Sequence, residues 1–229
     1  MTREAPHAGP AIDRHHDVAR VEAFSDGVFA FAATLLALGI RIPRPDDPDA
    51  STGLYAMLVA QWPSYVAFAL SFVTVGIVWA NHHVMFSYVM RTDRGLLFLN
   101  LLGLMLVAFL PVPTAVLGSW LAAGHDRLTA VIFYAGTLVT YGVVHNVLWW
   151  YAAYRAHVTS PQLSARERRA LTLAWLPGPF LYALGMAVAL IDPWYAIAVF
   201  AFIHVLYVLP TSRFFAAAQR ARGKRRGGR

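Results

Sequence analysis

Six long apolar runs, separated by short polar loops, set the pattern of this chain: about 21–42, 54–84, 95–120, 128–151, 171–191 and 194–214. Each reaches roughly the 20 apolar residues that cross a hydrocarbon core of about 30 Å. Inside a bilayer, backbone N–H and C=O groups must pair within their own segment, so each run predicts a helix. A membrane barrel would instead show short alternating segments. Pro43 and Pro45 stop the first run. The second is long for one crossing and predicts an interfacial stretch around Trp62 and Pro63. Pro111 and Pro113 predict a bend at the far end of the third. Pro177 and Pro179 fall early in the fifth, and Asp192-Pro193 turns the chain into the sixth. The expected fold is all-α: a polytopic membrane protein with six transmembrane helices over 20–215, a flexible N-terminal tail over 1–19 and a basic tail over 216–229. No internal repeat is visible.

Composition agrees with a bilayer as solvent. Charged residues make up 14% of the chain, against roughly 25% in a soluble domain. The net charge of +7 would suggest nucleic acid as partner for a soluble protein. Here the basic residues flank the apolar runs, so no nucleic acid is expected. With the N-terminus cytoplasmic, 16 of the 19 Lys and Arg fall in cytoplasmic segments, and only Arg41, Arg44 and Arg127 fall opposite. That bias predicts both termini inside a cell membrane. Trp120, Trp149, Trp150 and Trp194 near run ends fit an interfacial belt, and the basic tail suits anionic lipid headgroups. The chain has no Cys, which excludes disulfides and thiolate chemistry. The first 20 residues hold no early apolar stretch, so no cleavable signal is expected.

The first run carries the most chemical information. It opens Arg20-Val-Glu-Ala-Phe24-Ser25-Asp26-Gly27, with Asp26 about one turn inside the membrane end. An ionisable residue there is costly and marks a functional candidate; it also suits a local pair with Arg20 or with a basic group on a neighbouring helix. Phe31, Thr34, Leu35 and Leu38 share one helical face, with Ala30, Ala33 and Ala37 expected on the opposite, closely packed side. Such an apolar stripe suits lipid or core, and it can also narrow a pore or gate it by dewetting. The second constellation is Trp79-Ala-Asn81-His82-His83-Val-Met-Phe86. Adjacent histidines point about 100° apart on a helix and make no joint metal site. A hydrogen-bonded clamp to Ser25 or Asp26 is expected instead, with no metal and no cofactor. Asn100 in the third run needs a partner across helices. His145 and His204 read as satisfied packing histidines. There is no nucleophile motif, phosphate loop or dinucleotide fingerprint.

Taken together, these strings resemble the prokaryotic branch of the transmembrane-protein-175 family, relatives of the endolysosomal potassium channel. The resemblance rests on Arg20…Phe24-Ser25-Asp26-Gly27, on Trp79…His82-His83…Phe86, and on Leu99-Asn100…Leu110-Pro111…Pro113-Thr114, in that order. It implies a potassium-preferring channel whose first helices surround the pore, assembled as a homotetramer from one six-helix unit per chain. It places the hydrophobic constriction on Phe31, Leu35 and Leu38, and a hydroxyl layer aiding selectivity on Thr34. It makes Arg20, Phe24, Ser25, Asp26, His82, His83 and Asn100 a structural network at the cytoplasmic end. Two departures stand out: family members usually carry Ile or Leu where Phe31 stands, and Gly39 replaces an often acidic residue near the outer mouth. Asp46, Asp47 and Asp49 follow it in the loop.

Two other classes compete. A proton-coupled membrane transporter needs an ionisable relay at mid-membrane and usually repeated halves, whereas Asp26 and the histidine pair sit near one end. A membrane enzyme using the histidine pair and Asp26 needs more converging polar groups than these runs offer.

Overall fold

The computed structural model describes residues 14–208; the first part of the predicted N-terminal tail, the end of the sixth run and the basic tail lie outside the described residues. Within them the chain is helical: α1 (Arg14–Leu35, continued by a 3-10 turn, Leu36–Gly39), α2 (Leu54–Ala60), α3 (Trp62–Phe86), α4 (Arg94–Phe109), α5 (Pro111–Trp120), α6 (Arg127–Trp150), α7 (Ala165–Trp175), α8 (Pro177–Ala189) and α9 (Pro193–Val208). Five spans are long and apolar enough to cross a membrane: Asp17–Gly39, Trp62–Phe86, Arg94–Trp120, Arg127–Arg155 and Ala165–Ala189. α9 is a shorter apolar helix within the described residues.

α1 starts earlier than the boundary at residue 20 read from hydropathy. Its first turn is polar but carries Asp17, an acidic side chain that favours a helix N-terminus. Val18 then buries in a cluster with Met85, Phe86, Leu96 and Trp149. α7 likewise begins before the fifth apolar run, because Ser164 and Glu167 form a reciprocal capping box.

Proline decides where the long runs break. Pro63, Pro111 and Pro177 each sit in the first turn of a new helix, after Gln61, Leu110 and Leu176. Proline tolerates that first turn because its missing N–H would be unpaired there anyway. Pro179 also denies the Trp175 carbonyl its helical donor, four residues back. The Asn146 amide donates to that carbonyl instead, at 3.2 Å, so the kink between α7 and α8 is sealed by a side chain from α6.

α6 is central, packed against α4, α5, α8 and α9, with Val131, Tyr134, Ala135 and Leu138 buried in the core. Polar side chains tie the bundle at mid-depth. Ser71 meets Thr114 at 2.7 Å and donates to the Tyr134 hydroxyl at 3.1 Å. Thr74 meets His204 Nε2 at 2.6 Å, and the other ring nitrogen of His204 reaches the Phe200 carbonyl. His204 is thus the satisfied packing histidine that its position suggests.

Candidate functional site

α1 has two faces, and hydrophobicity does not distinguish them. Ser25, Phe29, Ala32 and Leu36 are buried. Phe24, Gly27, Phe31, Thr34 and Leu38 are exposed along the other side, at alternating spacings of three and four. Phe31 is 64% and Leu38 79% exposed, so among the described residues the stripe over 24–38 is left largely uncovered. Leu35 sits half-buried at its edge. Ala30 and Ala37 are exposed and flank the stripe, and Ala33 is half-buried. The expectation that these alanines form the packed side is corrected for Ala30 and Ala37, whereas Ala33 packs against the core; the buried residues are Ser25, Phe29, Ala32 and Leu36, which lie about 100° to 160° round the helix from Phe31. The Thr34 hydroxyl donates to the Phe31 carbonyl at 2.7 Å, which leaves its oxygen lone pairs directed outward.

The buried face is anchored by a relay of polar groups. Ser25 Oγ donates to the Val21 carbonyl at 2.8 Å. The Asn100 amide donates to Ser25 Oγ at 3.1 Å, and Asn100 Oδ1 lies 2.8 Å from His82 Nε2. The His82 ring stacks on Phe86 and meets Phe29 edge-on. Ser25, His82 and Asn100 thus come together as the sequence suggests, with Asn100 standing between the other two.

The remaining polar residues pair differently from the sequence reading. Asp26 accepts from the Trp79 indole N–H at 2.8 Å, in place of Arg20 or a histidine. His83 faces Glu22, Nδ1 to carboxylate at 2.8 Å. Arg20 and Phe24 are exposed on the open side of α1. Glu22 is the site residue that sequence reasoning missed, and Trp79, named in the second constellation, was given no partner there. Their signal was present: Glu22 precedes Asp26 by four residues, one helical turn, and Trp79 precedes His83 by four. Both pairs therefore offer a polar ladder at the same end of the bundle. Among the described residues, no three His, Asp or Glu gather as metal ligands.

Past the 3-10 turn, Arg41 folds back onto the acidic loop. Its guanidinium contacts Asp47 and lies 3.0 Å from Asp49. The hydrogen bond from Arg41, helped by the Arg44 backbone N–H, holds the Asp47 carboxyl below the usual range. The same contact raises Arg41.

The bundle is all-helical, with its first helix anchored on one side by a serine–asparagine–histidine relay and exposed on the other. The model of the family described as endosomal/lysosomal potassium channel TMEM175 matches residues 20–111, the segment that holds the stripe and the relay. A potassium channel of Streptomyces collinus is 44% identical over 173 residues, covering 76% of this chain and 82% of that protein. One from Chamaesiphon minutus is 39% identical and covers 83% of this chain and 93% of its own. The crystal structure of a lysosomal potassium-selective channel TMEM175 homolog from Chamaesiphon minutus superposes with a TM-score of 0.76 at 38% identity, over 85% of this chain and 97% of that one. The chain belongs to the TMEM175 family.

Proposed function

We propose that the protein is a subunit of a potassium channel, a homotetramer in the cell membrane whose pore is lined by the open stripe of α1. The observation that carries the reading is that stripe. It is a row of Phe24, Gly27, Phe31, Thr34 and Leu38 left exposed on a helix whose other side is fixed by buried polar bonds. Four such stripes facing a common axis would bring Phe31 and Leu38 together as apolar rings that exclude water until the helices dilate. Leu35 would contribute from the edge, and Thr34 would offer oxygen dipoles between them. Gly27, Ala30 and Ala37 let neighbouring helices approach closely. The names carried by the relatives support potassium as the ion. The family is one of ion channels, not enzymes. Conduction is passive and needs no cofactor. The topology is six crossings with both termini cytoplasmic, favoured by the distribution of Lys and Arg.

The test is cation flux into liposomes holding the purified protein, with no pH gradient. Potassium flux should exceed sodium flux and both should exceed empty vesicles. Phe31→Ala should raise leak several-fold and narrow the preference, whereas Phe31→Ile should keep the preference and change the rate. Unchanged flux in both Phe31→Ala and Leu35→Ala would remove these residues from the pore. Flux that appears only with a pH gradient would favour a proton-coupled transporter instead.

A further inference from the structure

We propose that the protein binds one water molecule at a built site between α1, α3, α4 and α6, held by the imidazoles of His82 and His145. His145 is the exception to the expectation of satisfied packing histidines. Its ring is buried, and among the described residues its Nε2 has no hydrogen-bond partner. The same holds for His82 Nδ1. Both rings line one cavity, together with Phe29, Asn100, Tyr141 and Leu148. The volume open to a water's centre is about 10 Å³, which is room for one molecule and no more.

The protonation pattern of the neighbours fixes what the site must offer. The one proton of Ser25 goes to the Val21 carbonyl, so Ser25 Oγ accepts from the Asn100 amide nitrogen. Asn100 therefore turns its oxygen to His82, and His82 Nε2 carries the hydrogen. In neutral His82, Nδ1 is then a bare acceptor with no donor. On the other wall, the Tyr141 hydroxyl lies 3.4 Å from His145 Nδ1. When Tyr141 donates there, His145 Nε2 is an N–H without an acceptor; in the opposite sense it is a second bare acceptor. Water serves either case, because it donates to His82 and can accept from or donate to His145. A zinc ion suits the void less well. It asks for four ligands, and no carboxylate lines this cavity.

A second void of the same size provides the internal comparison. Val75, Val107, Leu110 and Leu138 line it, with Thr74, Thr137 and Tyr141, whose hydroxyl faces His145. The Thr137 hydroxyl donates to the Phe133 carbonyl, and the Thr74 hydroxyl lies within hydrogen-bond distance of both the Leu70 carbonyl and His204 Nε2. Apolar voids without unpaired polar atoms stay dry, so water is assigned to the first cavity and not to the second. The bound water extends the relay from Val21 on α1 through Ser25, Asn100 and His82 to His145 and Tyr141 on α6. It is an integral part of the anchor that holds the first helix.

The test uses the full chain in lipid nanodiscs. A density map that resolves ordered water should show one peak between His82 and His145 and none in the second void. Density absent from the first cavity, or the two imidazoles bonded directly to each other, would overturn the proposal, as would stoichiometric metal in the purified protein. Histidine-labelled nitrogen NMR gives a second readout. His82 Nδ1 should sit at the hydrogen-bonded position and show transfer from water; His145→Phe should abolish that transfer and return the shift to its unbonded value, and His145→Gln should retain both. An unmoved His82 signal in His145→Phe would show that no bridging water exists.

Discussion

Asn100 lies buried with Leu96, Gly103 and Leu104 on its own helix, and its amide bonds side chains of two neighbouring helices. It donates to Ser25 and accepts from His82. Replacing it leaves the His82 Nε2–H without an acceptor in a closed interior. A buried donor stranded in this way costs about 1–3 kcal/mol. Asn100→Ala is therefore expected to lower unfolding stability in detergent by about that amount. Ser25→Ala should cost less, because it strands one amide hydrogen of a group that keeps its bond to His82. The double variant should fall short of the sum of the two, since both act on one network. Full additivity in thermal or denaturant unfolding would mean that the relay does not act as a unit. Phe29 and Phe31 make the complementary point about side chains of one type. They are two residues apart, yet Phe29 is buried against His82 and Phe31 is open, so the identity of the residue says nothing of its surroundings and its angle on the helix says nearly all.

Helix contacts in this bundle depend on a few positions where a side chain would not fit. A Cβ at Gly185 would lie 2.3 Å from the Phe200 ring. That ring is fully buried, with Tyr134 and Tyr182 within aromatic contact, so it has nowhere to move. Gly185→Ala should push α8 from α9 and cost about 1–3 kcal/mol, the usual range for overpacking. Gly136→Ala is the control: a Cβ there meets nothing within 4 Å, and the better helix former should leave stability unchanged or slightly raised. A melting temperature that falls equally in both would tie the loss to the helices themselves and not to the α8–α9 contact. At this scale much was legible in the sequence. Five of the six apolar runs match spans long enough to cross a membrane, and the expected interfacial stretch at Pro63 and bend at Pro111 fall where new helices begin, because a missing N–H acts locally whatever surrounds it. The face of α1 that holds Phe31, Thr34 and Leu38 was also legible, since helical spacing alone groups those residues. The partners of Asp26 and His83 were not. They depend on the rotation of α1 and α3 about their axes, and the rotation is set by packing among side chains of nearly equal hydrophobicity. Ala30 and Ala37 were misplaced for the same reason: Ala30, Ala32, Ala33 and Ala37 are alike in the sequence, yet Ala32 is buried, Ala33 packs against the core and the other two are exposed.

In the proposed tetramer, each chain would bring one Arg41 to the outer mouth of the pore, because Arg41 lies three residues after Leu38, just beyond the 3-10 turn. Four guanidinium groups there would repel potassium. Each is instead held by Asp47 and Asp49 of its own chain, so the mouth carries compensated charge, and Asp46 adds to the negative side. Asp47 titrates below the ordinary carboxylate range, and a group lowered in this way loses its contribution only as pH falls through that lowered value. Potassium flux should therefore hold steady as external pH falls from neutral to about 4, the ordinary aspartate value, and decline below it, as Asp47 takes up a proton and Arg41 is left half-compensated. Asp47→Asn with Asp49→Asn should produce the same loss already at neutral pH, several-fold at low ionic strength and less in high salt, since exposed charges are screened within about 10 Å at 0.1 M. Adding Arg41→Gln should restore flux, because the repelling charge is then gone along with its partners. Restoration separates an electrostatic role from a structural one: a loop that merely needs these bonds to fold would be damaged further by the third change. Flux indifferent to all three would place Arg41 away from the ion path and count against the open stripe of α1 as the pore lining.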